Sequence, residues 1–256
     1  MQKTFMVVTA VSSMRSEPGH KSEMVNQLLF GEIGDILDEK GDFVKLKARL
    51  DGYEGWCQRK QLAALDGHDY PYVTKLTSHI SDYAEVNGIK LLLSPGSTCF
   101  VPDAPDGVKI GPYHLNFHVG YKNDFDQKDT SRKIESYAGL FLGTPYLWGG
   151  RSRYGIDCSG LTQTVFRLCG ITLPRDSGPQ SKVGEVVSFL QEAKTGDLAF
   201  FDNDEGRIVH VGIMLGNSQI LHASATVRID PIDNYGIIHR EEGDRTHKLR
   251  VIKRFI

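Results

Sequence analysis

Residues 144–171 read TPYLWGGRSRYGIDCSGLTQTVFRLCGI, and the fold turns on this stretch. Leu161, Val165 and Leu168 recur at i, i+4 and i+7, the spacing of one helix face. Cys158 therefore opens an amphipathic helix, and Gly170 ends it. A thiolate is the reactive form of cysteine, and the unpaired N–H groups of a helix start favour an anion. Ser159 and Gly160 are small and leave room for a substrate, whereas Cys169 follows Leu168 on the same helix and reads as core. Upstream, Ile134, Ala138 and Phe141 predict another helix, capped by Thr130 or Ser131 and ended by Gly143 and Pro145. Downstream, four β-like runs follow at 198–201, 208–215, 220–223 and 249–256. Helices first and an antiparallel sheet afterwards make an α+β domain.

A thiol nucleophile needs an imidazole base and a group to orient it. His210 and His222 lie in neighbouring strand-like runs. A three-residue turn at 216–218 would set residue 215 opposite 219 and 212 opposite 222. The two histidines would then share a face, diagonal and about 7–8 Å apart at the backbone. A two-residue turn would break this register. His239 and His247 lie in polar surroundings and are expected at the surface.

The upstream half reads as short strands. Phe43, Lys45 and Lys47 alternate with Val44, Leu46 and Ala48 behind a hairpin joined by residues 39–42. Runs at 89–93, 96–101 and 115–121 are parted by Pro95, Pro102, Pro105, Gly107 and Pro112. Thr4–Val11 reads as a first strand: its unbroken apolar stretch, Phe5–Val8, is too short for a signal peptide. That points to the cytoplasm, or to the periplasm if Met1 is not the native start. The 256 residues carry 30 basic and 32 acidic side chains, so no basic surplus suggests nucleic acid. Mean hydropathy is −0.29, and no apolar run suits a membrane span. Four cysteines without a CxxC pair suit a reducing compartment.

Two resemblances rest on these residues. Ser13–Pro18, Gln27–Glu32 and Gly52-Tyr53-Glu54-Gly55-Trp56 resemble a bacterial SH3-like domain. Residues 144–150, Asp157-Cys158-Ser159-Gly160, His210 and His222 are together similar to the NlpC-type cell-wall cysteine peptidases, over residues 130–256. The resemblance implies an α+β, papain-like peptidase domain at 126–256. One or two small SH3-like β-barrels would precede it, at 1–65 and 66–125. It implies Cys158 as nucleophile, His210 as general base and acid, and His222 as the group orienting His210. Tyr146 would stand near the oxyanion hole with the Cys158 N–H.

The whole chain further resembles the γ-D-glutamyl-L-diamino acid peptidases of murein-peptide recycling, which cut after D-Glu in peptides with a free L-Ala. In that branch Trp148, Ser159, Asp176 and Ser177 line the pocket, and Pro174-Arg175-Asp176-Ser177 matches its loop. Asp157 would support the nucleophile. Asp176, Tyr53 and Glu17 would hold the substrate ammonium, with Glu23 an alternative to Glu17. No cofactor or resident metal is implied, and a monomer without nucleic-acid or membrane partners is expected. A wall-binding protein with a vestigial peptidase, an acyl transferase, and a zinc site of Cys158 with the two histidines are the competing readings. The third residue of the substrate, diaminopimelate or lysine, stays open.

Overall fold

The computed structural model describes residues 3–65, 73–101, 107–120 and 130–256. Pro102, Pro105, Tyr121 and the expected domain borders at 65/66 and 125/126 involve residues outside these ranges. The chain forms two compact units, one of residues 1–123 with 148–153, the other of 124–147 with 154–256. Among the described residues no helix is long and apolar enough to cross a membrane.

In the first unit seven antiparallel strands form one sheet: β1 (Thr4–Val7), β2 (Val11–Arg15), β3 (Met24–Leu29), β4 (Ile33–Lys40), β5 (Phe43–Ala48), β6 (Glu54–Gln58) and β7 (Leu62–Leu65). Their order is β3-β2-β6-β5-β4-β1-β7. The expected single strand at Thr4–Val11 is broken after Val7, where Thr9 Oγ1 donates to Val11 O at 2.9 Å. The apolar run at the N-terminus has a packing reason. Phe5 and Val7 join one core with Met14, Leu28, Val44 and Leu46. Met6 and Val8 join another with Phe30, Phe100 and Leu115. A strand buried on both faces reads as a continuous hydrophobic run. The hairpin β4–β5 turns on Gly41-Asp42 alone, with Lys40 opposite Phe43 and Gly41 at φ 56°. This turn is tighter than the expected four-residue link.

The second core is closed by β8 (Val73–Leu76), β9 (Tyr83–Val86), β10 (Ile89–Leu92), β11 (Thr98–Val101), β12 (Val108–Ile110) and β13 (Tyr113–His118). They form a four-stranded sheet, β10-β9-β13-β12, and the pair β11–β8.

Residues 148–153, which include β14 (Arg151–Ser152), pack within the first unit. Gly149 has φ 75°, and a Cβ there would stand 2.6 Å from Met24 O, so only glycine allows this approach to β3. Arg151 is fully buried. Its Nη1 and Nη2 donate to Glu32 Oε2 and Oε1 at 2.9 and 3.0 Å, and Nη1 also donates to Gln27 O. Gln27 Oε1 accepts the Arg151 backbone N–H at 2.9 Å.

The second unit holds α1 (Thr130–Gly139), β15 (Gly155–Ile156), α2 (Cys158–Leu168), α3 (Ser177–Gln180) and strands β16 (Glu185–Val187), β17 (Leu198–Asp202), β18 (Ile208–Gly216), β19 (Gln219–Ser224), β20 (Thr226–Pro231), β21 (Gly236–Ile238) and β22 (Arg245–Arg254). The sheet runs β16-β22-β17-β18-β19-β20, with β21 on β22. One core joins Ile134, Ala138, Leu161 and Val165 of the helices to Leu198, Phe200, Val211, Ile213 and Leu221. Ala199, Phe201, Met214, Ile220 and Ile252 fill a second core, as period-two strands require. Ser131 does not cap α1: it lies inside the helix, its hydroxyl donating to Thr195 O at 3.0 Å. Strands β16, β20 and β21 lie outside the four β-like runs expected from sequence, and β22 begins four residues earlier than its run.

Candidate active site

Asp157 caps α2. Its Oδ1 accepts the Gly160 N–H at 2.7 Å, which satisfies one of the orphan donors of the first turn. The buried Arg175 holds that cap in place, with Nη2 donating to Asp157 Oδ2 at 2.6 Å and Nη1 to Asp157 Oδ1 and Ser159 Oγ at 3.0 Å each. Asp157 and Ser159 are thus drawn together by a residue that sequence reading used only as part of a loop motif. Asp176 is exposed at the start of α3, and Ser177 is half-buried beside it.

Cys158 is buried among α2 and sheet residues, and its sulfur takes a hydrogen bond from the Val211 backbone. Val211 follows His210 on β18. Burial pushes the thiol up to about 12, with the Asp157 charge adding to the effect. The helix start alone would favour the anion; here desolvation outweighs it. Tyr146 packs against the same core, half-buried, with its backbone N–H on Ala225 O at 2.8 Å. Burial, then the Cys158 charge, raises its phenol to about 12.

His210 and His222 stand as the pairing argument requires, by a different turn. The link between β18 and β19 is the two-residue turn Asn217-Ser218, both at positive φ (49° and 55°). A bulge between Met214 and Gly216 restores the register, and Gly212 faces His222. A Cβ on residue 212 would lie 3.0 Å from His222 Cβ and 2.7 Å from Ile220 Cδ1, so glycine makes room for the imidazole. His210 Nε2 and His222 Nδ1 are 3.0 Å apart, and His222 Nε2 is 3.0 Å from Asp230 Oδ2.

This chain of contacts assigns the protons. Hydrogen bonds hold Asp230 below the usual carboxylate range against the opposing effect of burial, so it is ionised and only accepts. His222 must donate from Nε2, which leaves its Nδ1 as acceptor. His210 must then donate from Nε2, which leaves Nδ1 with a free lone pair. Burial keeps both rings neutral: it lowers His222, and with the nearby His247 and His222 it lowers His210 well below its ordinary value. An imidazole with an open lone pair, oriented by a carboxylate through a second imidazole, is equipped to take a proton.

Sequence reading missed Asp230, Arg228 and the placement of His247. Asp230 lies on β20, opposite Ile220, and Arg228 faces His222. Arg228 Nε donates to Asp230 Oδ2 at 2.8 Å and its Nη1 to Ser224 O. The alternation in Thr226-Val227-Arg228-Ile229-Asp230 was the available signal. His247 is not at the surface: it is half-buried and stacks on His210, with centroids 4.0 Å apart and planes at 26°. His239 is also partly buried, its Nδ1 accepting from the Glu242 N–H at 3.2 Å.

The remaining expected residues belong to the first unit. Trp148 is 61% exposed, and its Nε1 donates to Glu23 Oε1 at 2.7 Å. Tyr53 packs at the edge of the β-core. Glu17 is exposed, and its backbone oxygen accepts from the Gly19 N–H and the Ser22 hydroxyl.

Residues 143–244 match the NlpC/P60 family, and residues 14–62 match the bacterial dipeptidyl-peptidase Sh3 domain. A γ-D-glutamyl-L-lysine dipeptidyl-peptidase of Bacillus cereus is 32% identical, covering 88% of this chain and 76% of its own. A protein of the same name from Bacillus subtilis is 33% identical, covering 78% and 72%. The crystal structure of an NlpC/P60 family protein from Bacillus cereus has the same fold, with a TM-score of 0.78 at 23% identity over 98% of this chain and 99% of that one. With a cysteine at the start of α2 and an SH3-like β-rich region ahead of it, this chain belongs to the NlpC/P60 family.

Proposed function

We propose that this protein is a cysteine peptidase that cleaves the γ-D-Glu–diamino acid bond of murein-derived peptides and releases L-Ala-D-Glu. The observation that carries the mechanism is the directed chain Asp230–His222–His210, which leaves the His210 Nδ1 lone pair open next to the residue that contacts the Cys158 thiol. In the resting site the thiol and the imidazole are both neutral. Attack by Sγ on the γ-carbonyl carbon forms the C–S bond as the thiol proton passes to His210. The oxyanion meets the Cys158 N–H, an orphan donor of the helix start, and the Tyr146 hydroxyl. Collapse breaks the C–N bond, and His210 returns the proton to the leaving amine. Water, deprotonated by His210, then hydrolyses the thioester.

The names of the two Bacillus relatives support lysine as one third residue. For the substrate ammonium we assign Glu23 in preference to Glu17, because Glu23 already holds Trp148. Tyr53, Asp176, Ser177 and Ser159 complete the proposed binding set, with Asp157 supporting the nucleophile. The same reading keeps 1–65 and 66–125 as small β-domains and 126–256 as the peptidase, in a cytoplasmic monomer that recycles wall peptides.

The test is a panel of L-Ala-γ-D-Glu-L-Lys and its diaminopimelate counterpart, each with free or acetylated amine, read by product mass. Release of L-Ala-D-Glu from free peptides is expected, and Cys158→Ala should lower turnover by about 10⁴-fold or more. Equal rates on capped peptides, or turnover that survives Cys158→Ala, would refute it.

A further inference from the structure

The proton relay accounts for both nitrogens of His222 and both of His210, Nε2 as donor and Nδ1 as the open base. It gives no role to His247. One ring nitrogen of each of His210, His222 and His247 lies within 4.8 Å of the other two. Three imidazoles this close are a donor set for borderline divalent cations once the His247 ring, stacked on His210 at 4.0 Å and 26°, turns its nitrogen toward the other two. We propose that these three histidines form a reversible binding site for a Zn²⁺-class cation, and that its occupation switches the peptidase off.

Tetrahedral zinc at about 2.0–2.1 Å from each nitrogen holds two such nitrogens about 3.3 Å apart. His210 Nε2 and His222 Nδ1 are already 3.0 Å apart around a shared proton. A cation in place of that proton needs them to part by only a few tenths of an ångström. His222 Nε2 already donates to Asp230, which is the outer carboxylate partner that ligating histidines usually have. Asp230 also carries Arg228, so one carboxylate serves a guanidinium and the loaded histidine together. His247 Nδ1 lies 2.8 Å from Thr246 Oγ1, which leaves Nε2 to ligate. Half-buried, it is the accessible member of the three and the side from which a cation enters.

The inhibitory consequence follows from proton bookkeeping. Ligation through Nε2 of His210 moves the ring's one proton, by exchange through solvent, from Nε2 to Nδ1, so the ring stays neutral as the other tautomer. Nδ1 is the atom that would accept the thiol proton. Cation binding and general-base action therefore exclude each other. The inhibition rests on the peptidase reading above; the binding does not.

The full chain carrying Cys158→Ala separates the two, since it removes the thiolate as a competing ligand and leaves all three histidines. Equilibrium dialysis against Zn²⁺ with metal analysis should show one equivalent per chain. Co²⁺ should give visible ligand-field bands without a thiolate charge-transfer band. Adding His247→Phe, which keeps a stacking ring, should weaken Zn²⁺ uptake at least about tenfold, and His247→Gln should do the same if phenylalanine disturbs the fold. In the unmutated chain Zn²⁺ should stop turnover, a chelator should restore it, and His247→Phe should raise the inhibitory concentration by a like factor. Absence of stoichiometric uptake, or uptake indifferent to both His247 variants, would overturn the site. Absence of peptide turnover by the unmutated chain would count against the peptidase reading and leave the uptake result to decide the site.

Discussion

The two units each bury charge, and they do so to different ends. In the first, Arg151 and Glu32 make a bidentate pair whose charges are permanent and mutually satisfied. In the second, Asp230, His222 and His210 make a chain with a direction, and one lone pair at its end is left open. A closed pair can only hold structure. An open chain of titratable rings can move a proton, and its cost is two imidazoles kept neutral by burial.

Within this comparison of the two buried networks, the largest effect should come from reversing the chain. In Asp230→Asn the amide can donate to His222 Nε2 and force the opposite tautomer through both rings, so that His210 Nδ1 carries a proton. Turnover should fall about 10²–10⁴-fold with the fold intact, measured as kcat alongside the melting temperature. A variant with full activity would show that the direction of the chain is irrelevant.

The closed pair should respond in stability. Glu32→Gln leaves the Arg151 guanidinium buried without its counter-charge and should cost about 3–5 kcal/mol by denaturant unfolding. A change below about 1 kcal/mol would mean that Gln27 and the surrounding backbone satisfy Arg151 unaided.

The smallest effect is a pH slope. His210 and His222 titrate below 6.5 in the fold and near it when unfolded. Below that pH the unfolded chain takes up protons that the native chain refuses. Their contribution is fully present above pH 6.5 and is lost as the pH falls, by about 1.4 kcal/mol per unit for each ring. Unfolding free energies between pH 8 and 5 should show this, and His222→Gln should flatten it. An unchanged slope in that variant would remove His222 from the account.

Much of this was legible in the chain. The nucleophile candidate follows from local pattern: a polar, glycine-flanked cysteine at the start of an i, i+4, i+7 helix. The register of His210 against His222 came out as derived although the turn did not, because the bulge beside Leu215 compensates for a shorter turn. Asp230 was missed because the alternation in β20 rests on only two apolar residues, Val227 and Ile229, and runs into Pro231, too short a signal until its pairing with β19 is known. His247 was misplaced because β22 starts four residues upstream of its apolar part, in a polar segment whose neighbours are set by pairing with β17 and β21.

What the sequence determined by itself is therefore what depends on near neighbours: helix phase, strand alternation, the glycines at tight turns, and the polar setting of Cys158. The tertiary structure decided what depends on residues far apart in the chain. It set Arg175 on Asp157, Asp230 on His222, His247 on His210 and Arg151 on Glu32. It also decided the resting charge of the site, because desolvation of Cys158 outweighs the helix start only when the core around it is complete. Periodicity is written locally, whereas burial and the pairing of distant charges exist only once the strands have found their partners.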